Sequence, residues 1–174
     1  CRKGLLEKID AATLPPGADG LAAAKDFAPG AIGPCWVGSA VYSHVLIFAP
    51  GKFAAAPTGI ANFFDLAKFP GRRALHSGAK YNLELALLAD GVKPVDVYPT
   101  LSTHKGVLRA LAKLDPIRPF IVWWSKMSDP LKMLAGEKVV FTTMPNSALF
   151  EAAQKKQPVG AIWDKQQYEL DVFG

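Results

Sequence analysis

The chain of 174 residues is long enough to bury one hydrophobic core, which favours a single domain with at most an appendage. Half of its residues are hydrophobic and 20% are charged, a balance that is typical of globular proteins and excludes intrinsic disorder. The net charge is +5, but the basic residues are scattered in ones and twos, so we predict no nucleic-acid partner. No apolar stretch approaches the roughly 20 residues of a membrane helix, and we predict that the chain is not embedded in a membrane.

The first 34 residues are rich in Pro, Gly and Ala and contain two Pro-Gly turn signals. Only short helices over residues 5–9 and 21–27 are predicted there. Two cysteines, Cys1 and Cys35, bound this segment. They are either two independent thiols or a disulfide, which would require an oxidising compartment, and the sequence alone leaves both readings open.

Strands and helices alternate along the rest of the chain, according to hydrophobic periodicity and to Ser, Thr, Pro and Gly at the boundaries. Thr58 and Ser128 have side chains suited to capping helices, and Gly91 and Gly136 are placed to end them. Strands are predicted over residues 39–48, 73–76, 120–124, 139–143, 159–163 and 168–173. Helices are predicted over residues 58–67, 79–89, 103–114, 128–134 and 146–154. This alternation predicts an α/β fold with helices packed on the faces of a sheet.

Catalytic signatures are missing from the sequence. It contains no GxGxxG, GxxxxGK[ST], GxSxG or HExxH motif. The three histidines, His44, His76 and His104, have no partner at the spacing of metal ligands, and no histidine lies close in sequence to a cysteine. We therefore predict that the chain is not an enzyme and holds neither a cofactor nor a metal.

Several segments, in one consistent order, resemble the spermidine/putrescine-type periplasmic solute-binding proteins of ABC importers. The stretch FFDLAKFPGRRAL is the most specific of them. ELALLADGV, KLDPIRP, IVWW, LAGEKVV and IWD follow it along the chain. The resemblance covers roughly residues 30–174.

This resemblance implies the type II periplasmic-binding-protein fold, in which two α/β lobes are joined by crossing strands and hold the ligand in a cleft. Residues 1–39 would be a remnant of the first lobe, and residues 40–49 the first hinge strand. Residues 50–160 would form the second ligand-binding lobe, a mixed sheet with helices on both faces, and residues 161–174 the returning hinge strand. We therefore expect the chain to be a central fragment that lacks the remainder of its first lobe.

The function implied by the resemblance is the capture of a small solute in the periplasm, after export, for import through ABC permease subunits. Because such proteins are exported to an oxidising space, a Cys1–Cys35 disulfide is then expected. Two alternatives use the same fold: the effector domain of a transcription regulator, and an enzyme with Cys35 as its nucleophile. A disulfide would count against the regulator and would remove the thiol that the enzyme needs.

The resemblance also indicates residues that contact the solute: Ser77, Tyr81, Met144, Asn146, Ser147, Glu169 and Asp171. Of Trp123 and Trp124 at the end of a predicted strand, one is expected in the core and the other in the cleft, and we select Trp124 as the contact. Asn146 and Ser147 are equally suited to capping a helix. Polyamine binders of the family often carry acidic groups near the position of residues 77–81, and this chain has none there.

The last predicted strand carries two carboxylates on one face. Alternation places Glu169 and Asp171 on the same side as Phe173, with the carboxylates about 6–7 Å apart. Such a pair beside an aromatic ring suits an ammonium or guanidinium group, although an ordinary solvated strand face would have the same pattern. We therefore predict an amine-bearing solute, either polyamine-like or amino-acid-like.

Overall fold

A computed structural model describes Cys1 and residues 3–174 and divides the chain into two compact units. The smaller unit comprises Cys1–Tyr42 and Tyr168–Gly174, and the larger unit comprises Ser43–Gln167. Two long strands, β2 (Trp36–Phe48) and β6 (Gly160–Phe173), contribute residues to both units.

The smaller unit contains little regular structure besides these strands. Strand β1 (Ile32–Gly33) pairs antiparallel with the start of β2, and helix α1 covers only Ala23–Asp26. The prediction of a helix over residues 5–9 was wrong, and the one over residues 21–27 was too long. Segments this short form one or two helical hydrogen bonds, which do not offset the cost of nucleation.

The two cysteines of the smaller unit are paired as a disulfide. Their Cα atoms lie 5.9 Å apart, within the range of about 4.4–6.8 Å that disulfides allow. The described part of the chain contains no free cysteine. The alternative hypothesis of an enzyme with Cys35 as its nucleophile requires a free thiol, and in this structure Cys35 is in the disulfide.

The larger unit is built on a mixed sheet. Three strands lie entirely within this unit: β3 (Arg73–His76), β4 (Ile121–Trp124) and β5 (Phe141–Pro145). Its helices are α2 (Asn82–Ala89), α3 (Val97–Leu101), α4 (His104–Leu114), α5 (Asp129–Ala135) and α6 (Ser147–Gln154). The strand order is β2-β5-β3-β4; β3 runs parallel to β4 and β5, β5 runs antiparallel to β2, and β6 pairs with β2. The predicted α/β class is confirmed.

Two hydrophobic clusters cover the two faces of this sheet. Successive strand residues alternate between them, as the pleat requires: Leu46 and Leu75 belong to one cluster, Ile47 and Ala74 to the other. Side chains of α2 and α4 complete the first cluster, and side chains of α5 and α6 complete the second. Helices therefore pack on both faces and leave the ends of the strands open.

The helix predicted over residues 58–67 is reduced to a 3-10 turn, Ile60–Phe63. Beyond this turn the backbone is held by the buried guanidinium of Arg73, whose Nε donates to the carbonyl of Phe63 at 2.9 Å. Thr58 does not cap the turn; its amide instead donates to Oδ1 of Asn62 at 2.8 Å.

The two strands predicted over residues 159–163 and 168–173 are one continuous strand, β6. The polar residues between them lack the alternation that marks a strand in sequence, although β6, which pairs with β2, includes them. Lys165 has a φ of 50° and interrupts the regular geometry in the middle of β6. Strand β5 likewise lies two residues later than predicted, at Phe141–Pro145.

Candidate functional site

The parallel strands of the larger unit end at one edge of the sheet. Strands β3, β4 and β5 finish at His76, Trp124 and Pro145, and helices α2, α5 and α6 begin shortly after them. His44 of the antiparallel β2 lies opposite Pro145. Ligands of open α/β sheets bind outside the carboxyl ends of the strands. We call this region, formed by residues 44, 76–82, 124–129 and 145–147, the carboxyl edge.

The loop after β3 and the end of β4 are tied together at the carboxyl edge. The amide of Ser77 donates to the carbonyl of Trp124 at 2.7 Å, and the side chain of Ser77 is exposed. The ring of Trp124 packs edge-on against the imidazole of His76, with centroids 4.8 Å apart. Trp124 and Met144 are only 3% and 1% exposed and belong to the second cluster, so they support the edge from behind. Their contact with a solute remains a prediction.

Asn146 joins β5 to β2 at the start of α6. Its backbone amide donates to the carbonyl of Ser43 at 2.7 Å, and its Oδ1 accepts from the amide of Ser43 at 3.0 Å. The side chain therefore spans two strands and does not cap α6. Ser147 is exposed at the first position of that helix.

Tyr81 precedes helix α2 with a φ of 69°, a value that non-glycine residues rarely adopt. Its ring stacks on the imidazole of His44, with the centroids 3.5 Å apart and the planes 13° from parallel. The neighbouring Asn82 donates through Nδ2 to the carbonyls of His76 and Gly78, both at 2.7 Å, and fixes the loop. No local pattern in the sequence pointed to His44 as a site residue.

A small pocket lies beside the stacked rings, and a polar segment of β6 forms one wall. Asp164 accepts the amide of Ile60 at 3.1 Å, and Gln167 donates to the carbonyl of Tyr81 at 3.2 Å. The pocket is also lined by Val45, Leu46, Leu85, Thr143, Lys165 and Gln166. Residues 164–167 were predicted only as part of the returning hinge strand, and none of them was predicted to contact the solute.

The charges at the carboxyl edge favour an anionic group. Lys80 and Lys126 lie on the loops after β3 and β4, and no acidic residue occurs between Ser77 and Tyr81. The amino ends of α2 and α6 add the partial positive charge of their helix dipoles. The edge also contains one acid, Asp129 at the start of α5, so its two lysines outnumber its acids and it can accommodate a carboxylate.

The smaller unit brings together the two predicted carboxylates and a tyrosine that the sequence analysis had not selected. Burial chiefly raises the pKa of Tyr42 to about 12, helped by its hydrogen bond to Glu169 and by the negative charges of Glu169 and Asp171. Glu169 is half-buried and Asp171 is exposed. Asp171 is also anchored through its backbone, since its carbonyl accepts from Oγ of Ser39 at 3.2 Å.

The residues that the structure describes contain neither a metal-binding cluster nor a membrane-spanning helix. No group of three or more His, Cys, Asp or Glu residues in this part of the chain could hold a metal ion. Among the same residues, no helix has both the length and the apolar character needed to cross a membrane.

Comparisons with known proteins identify the family of this chain. A family model for bacterial extracellular solute-binding proteins matches residues 1–173. The gamma-aminobutyric acid (GABA)-binding protein of Pseudomonas aeruginosa is 38% identical over 173 residues, which are 99% of this chain and 47% of that protein. The chain thus spans about half the length of this curated relative.

Solved structures show the same fold. A GABA receptor superposes with a TM-score of 0.82 at 31% identity, over 98% of this chain and 50% of that one. The spermidine/putrescine substrate-binding protein of Streptococcus pneumoniae gives a TM-score of 0.74 over 98% of this chain and 51% of that one, at only 12% identity. The likeness to the polyamine-binding type is therefore distant and extends to the fold alone.

Proposed function

This chain belongs to the bacterial extracellular solute-binding proteins, and we propose that it captures a small solute in the periplasm and delivers it to the permease subunits of an ABC importer. It acts as a binding protein and not as an enzyme. The observation that carries this proposal is the 38% identity, over 173 residues, to a protein named for binding GABA.

We assign parts of the chain to the two-lobed plan of such proteins. Residues 50–160 form the second ligand-binding lobe, residues 40–49 and 161–174 are the strands that cross between lobes, and residues 1–39 belong to the first lobe. The packing of Ser43–Gln167 as a compact unit with its own core supports this division. Lobes of this kind close on their ligand by hinge motion.

The solute we propose is a small amino acid of the GABA type, with a carboxylate and an ammonium group. Lys80, Lys126 and the amino ends of two helices favour the carboxylate at the carboxyl edge, where Ser77, Tyr81, Asn146 and Ser147 are the proposed contacts. Glu169 and Asp171 support the amine, because carboxylates form charge-assisted hydrogen bonds with ammonium groups. A polyamine has no carboxylate to match the edge.

The test is a binding comparison on the full-length protein with GABA, butyrate, butylamine, putrescine and spermidine. GABA is expected to bind best, and butyrate and butylamine, which each keep one charged group, at least tenfold more weakly. At a hundredfold excess over its Kd, a ligand adds about 2.7 kcal/mol to stability, which thermal unfolding detects. Tighter binding of spermidine than of GABA would show that the solute is a polyamine, and binding of none of the five would refute the proposed solute class.

A substitution tests the role of the carboxylate. Asp171→Asn in the full-length protein is expected to weaken GABA binding more than tenfold while leaving butyrate binding unchanged. Glu7→Gln, which neutralises an exposed acid of the same unit, is the matched control. If calorimetry gives the same Kd for Asp171→Asn and the unmodified protein, Asp171 belongs to an ordinary solvated strand face.

A further inference from the structure

The backbone of Tyr81 has dihedral angles that are unfavourable for a residue with a side chain. Its φ of 69° and ψ of −33° lie where a Cβ atom crowds the backbone, and only glycine tolerates such values freely. Non-glycine residues persist there when their surroundings determine the conformation, and such residues cluster at ligand-binding sites. The contacts around Tyr81 therefore show what keeps it in place.

The imidazole of His44 makes the contact with the Tyr81 ring that bears on its orientation. His44 is 7% exposed on β2, where the ladder with β5 fixes its position opposite Pro145. Its ring lies nearly parallel to that of Tyr81, at a centroid distance of 3.5 Å. Because the β2 backbone is held by the sheet, the imidazole is a fixed platform for a ring carried by a loop.

Three further contacts hold Tyr81. The Nζ of Lys80 stands over the Tyr81 ring, 5.0 Å from its centroid. Gln167 donates to the carbonyl of Tyr81 at 3.2 Å, and the amide of Leu85 donates to the same carbonyl at 2.9 Å. Both the ring and the backbone of Tyr81 are therefore held by their neighbours.

We propose that His44 is a positioning residue: it holds the Tyr81 ring, and with it the cation above that ring, in the orientation that receives the solute at the carboxyl edge. This inference rests on the proposed function. His44 acts through Tyr81 and not by touching the solute. Its flat ring is the property that matters, so another flat ring in its place preserves the effect.

A double-mutant cycle in the full-length protein tests this role, with GABA as the probe. His44→Ala is expected to weaken GABA binding about two- to tenfold, the range that corresponds to losing one aromatic pair. His44→Phe restores the affinity to within about twofold. In the Tyr81→Ala background, His44→Ala has no further effect, because the residue through which it acts is gone. His104→Ala, at an exposed histidine of α4, is the matched control.

The stacking itself is measured without any solute. In NMR spectra of tyrosine-labelled protein, the Tyr81 ring protons, assigned by their loss in Tyr81→Phe, are shifted by the ring current of His44. That shift is expected to disappear in His44→Ala and to persist in His44→Phe. His44→Gln replaces the alanine variant if the latter fails to fold by circular dichroism.

The outcomes separate the inference from the proposed function. Additive effects of His44→Ala and Tyr81→Ala on the GABA Kd would overturn the positioning role, as would unchanged Tyr81 resonances in His44→Ala. If the unmodified protein does not bind GABA, the proposed solute is wrong. The NMR measurement then decides by itself whether His44 holds Tyr81, with loss of the shift supporting the role and its survival refuting it.

Discussion

Replacing Arg73 by methionine is expected to destabilise the larger unit more than any exposed substitution. Arg73 is completely buried, and its guanidinium donates to four backbone carbonyls, those of Phe63, Asp65, Phe69 and Gly71. It lies 5.5 Å from the centroid of the Phe141 ring, in the first cluster. Methionine keeps most of the apolar stem but donates none of these hydrogen bonds.

The size of the stability loss depends on which of the four carbonyls can hydrogen-bond to water once Arg73 is replaced. Phe63 and Phe69 are 0% and 2% exposed, so their carbonyls stay unsatisfied, at about 1–3 kcal/mol each, or about 2–6 kcal/mol together. Burial lowers the pKa of Arg73 to about 10, which shows that the charged form also carries a desolvation cost that methionine removes. We therefore expect a net loss of about 2–4 kcal/mol in the free energy of unfolding.

Urea denaturation of the full-length protein, followed by tryptophan fluorescence and circular dichroism, measures this loss. Arg72→Met changes the exposed neighbour and is expected to alter stability by less than about 0.5 kcal/mol. Arg73→Lys keeps the charge but cannot donate to all four carbonyls. Its loss of stability should therefore lie between those of Arg72→Met and Arg73→Met. Equal midpoints and slopes for Arg73→Met and Arg72→Met would refute the claim that Arg73 organises the segment before β3.

Two predictions concern the smaller unit. Glu169→Gln should lower the pKa of Tyr42 from about 12 part of the way toward 10, because burial, the largest cause, remains. The pKa of Tyr42 is measured as the pH-dependent tyrosinate absorbance that is lost when Tyr42→Phe is added to the unmodified protein or to Glu169→Gln. The same Tyr42 pKa in both would contradict the hydrogen bond between Tyr42 and Glu169. Since the raised pKa lets the native state keep its proton longer, the stability from Tyr42 is present below pH 10 and is lost as the pH rises toward 12. Cys35→Ser, which opens the disulfide between Cys1 and Cys35 at a sequence separation of 34, should cost about 3–4 kcal/mol in the chain-entropy model. Peptide mapping without reductant checks the bond, and two free thiols would disprove it.

The α/β class could be predicted from the sequence because its signals are local. The Pro70-Gly71 break precedes a short strand that was predicted at residues 73–76 and is found there, and Thr103, which accepts the amide of Gly106 at 3.0 Å, correctly marks the start of α4. The motifs that resemble the solute-binding proteins are likewise continuous stretches. Each of these features depends on residues within a few positions of one another.

The site was predicted only in part, because its geometry depends on contacts between distant segments. The sequence pointed to Tyr81, Asn146 and Asp171, but not to His44 beneath Tyr81 or to Tyr42 beside Glu169. The predicted start of α2 was three residues early, since the positive φ of Tyr81 delays the helix to Asn82.

By itself, the sequence determined which segments are apolar, where turns interrupt them and which family they resemble. Only the tertiary structure decided which groups meet: His44 with Tyr81 through the pairing of β2 and β5, and Arg73 with backbone carbonyls of the segment before its strand. The physical reason is that hydrophobic periodicity specifies which face of an element is buried. Strand register and the hydrogen bonds of one buried cation are settled only when the elements pack together.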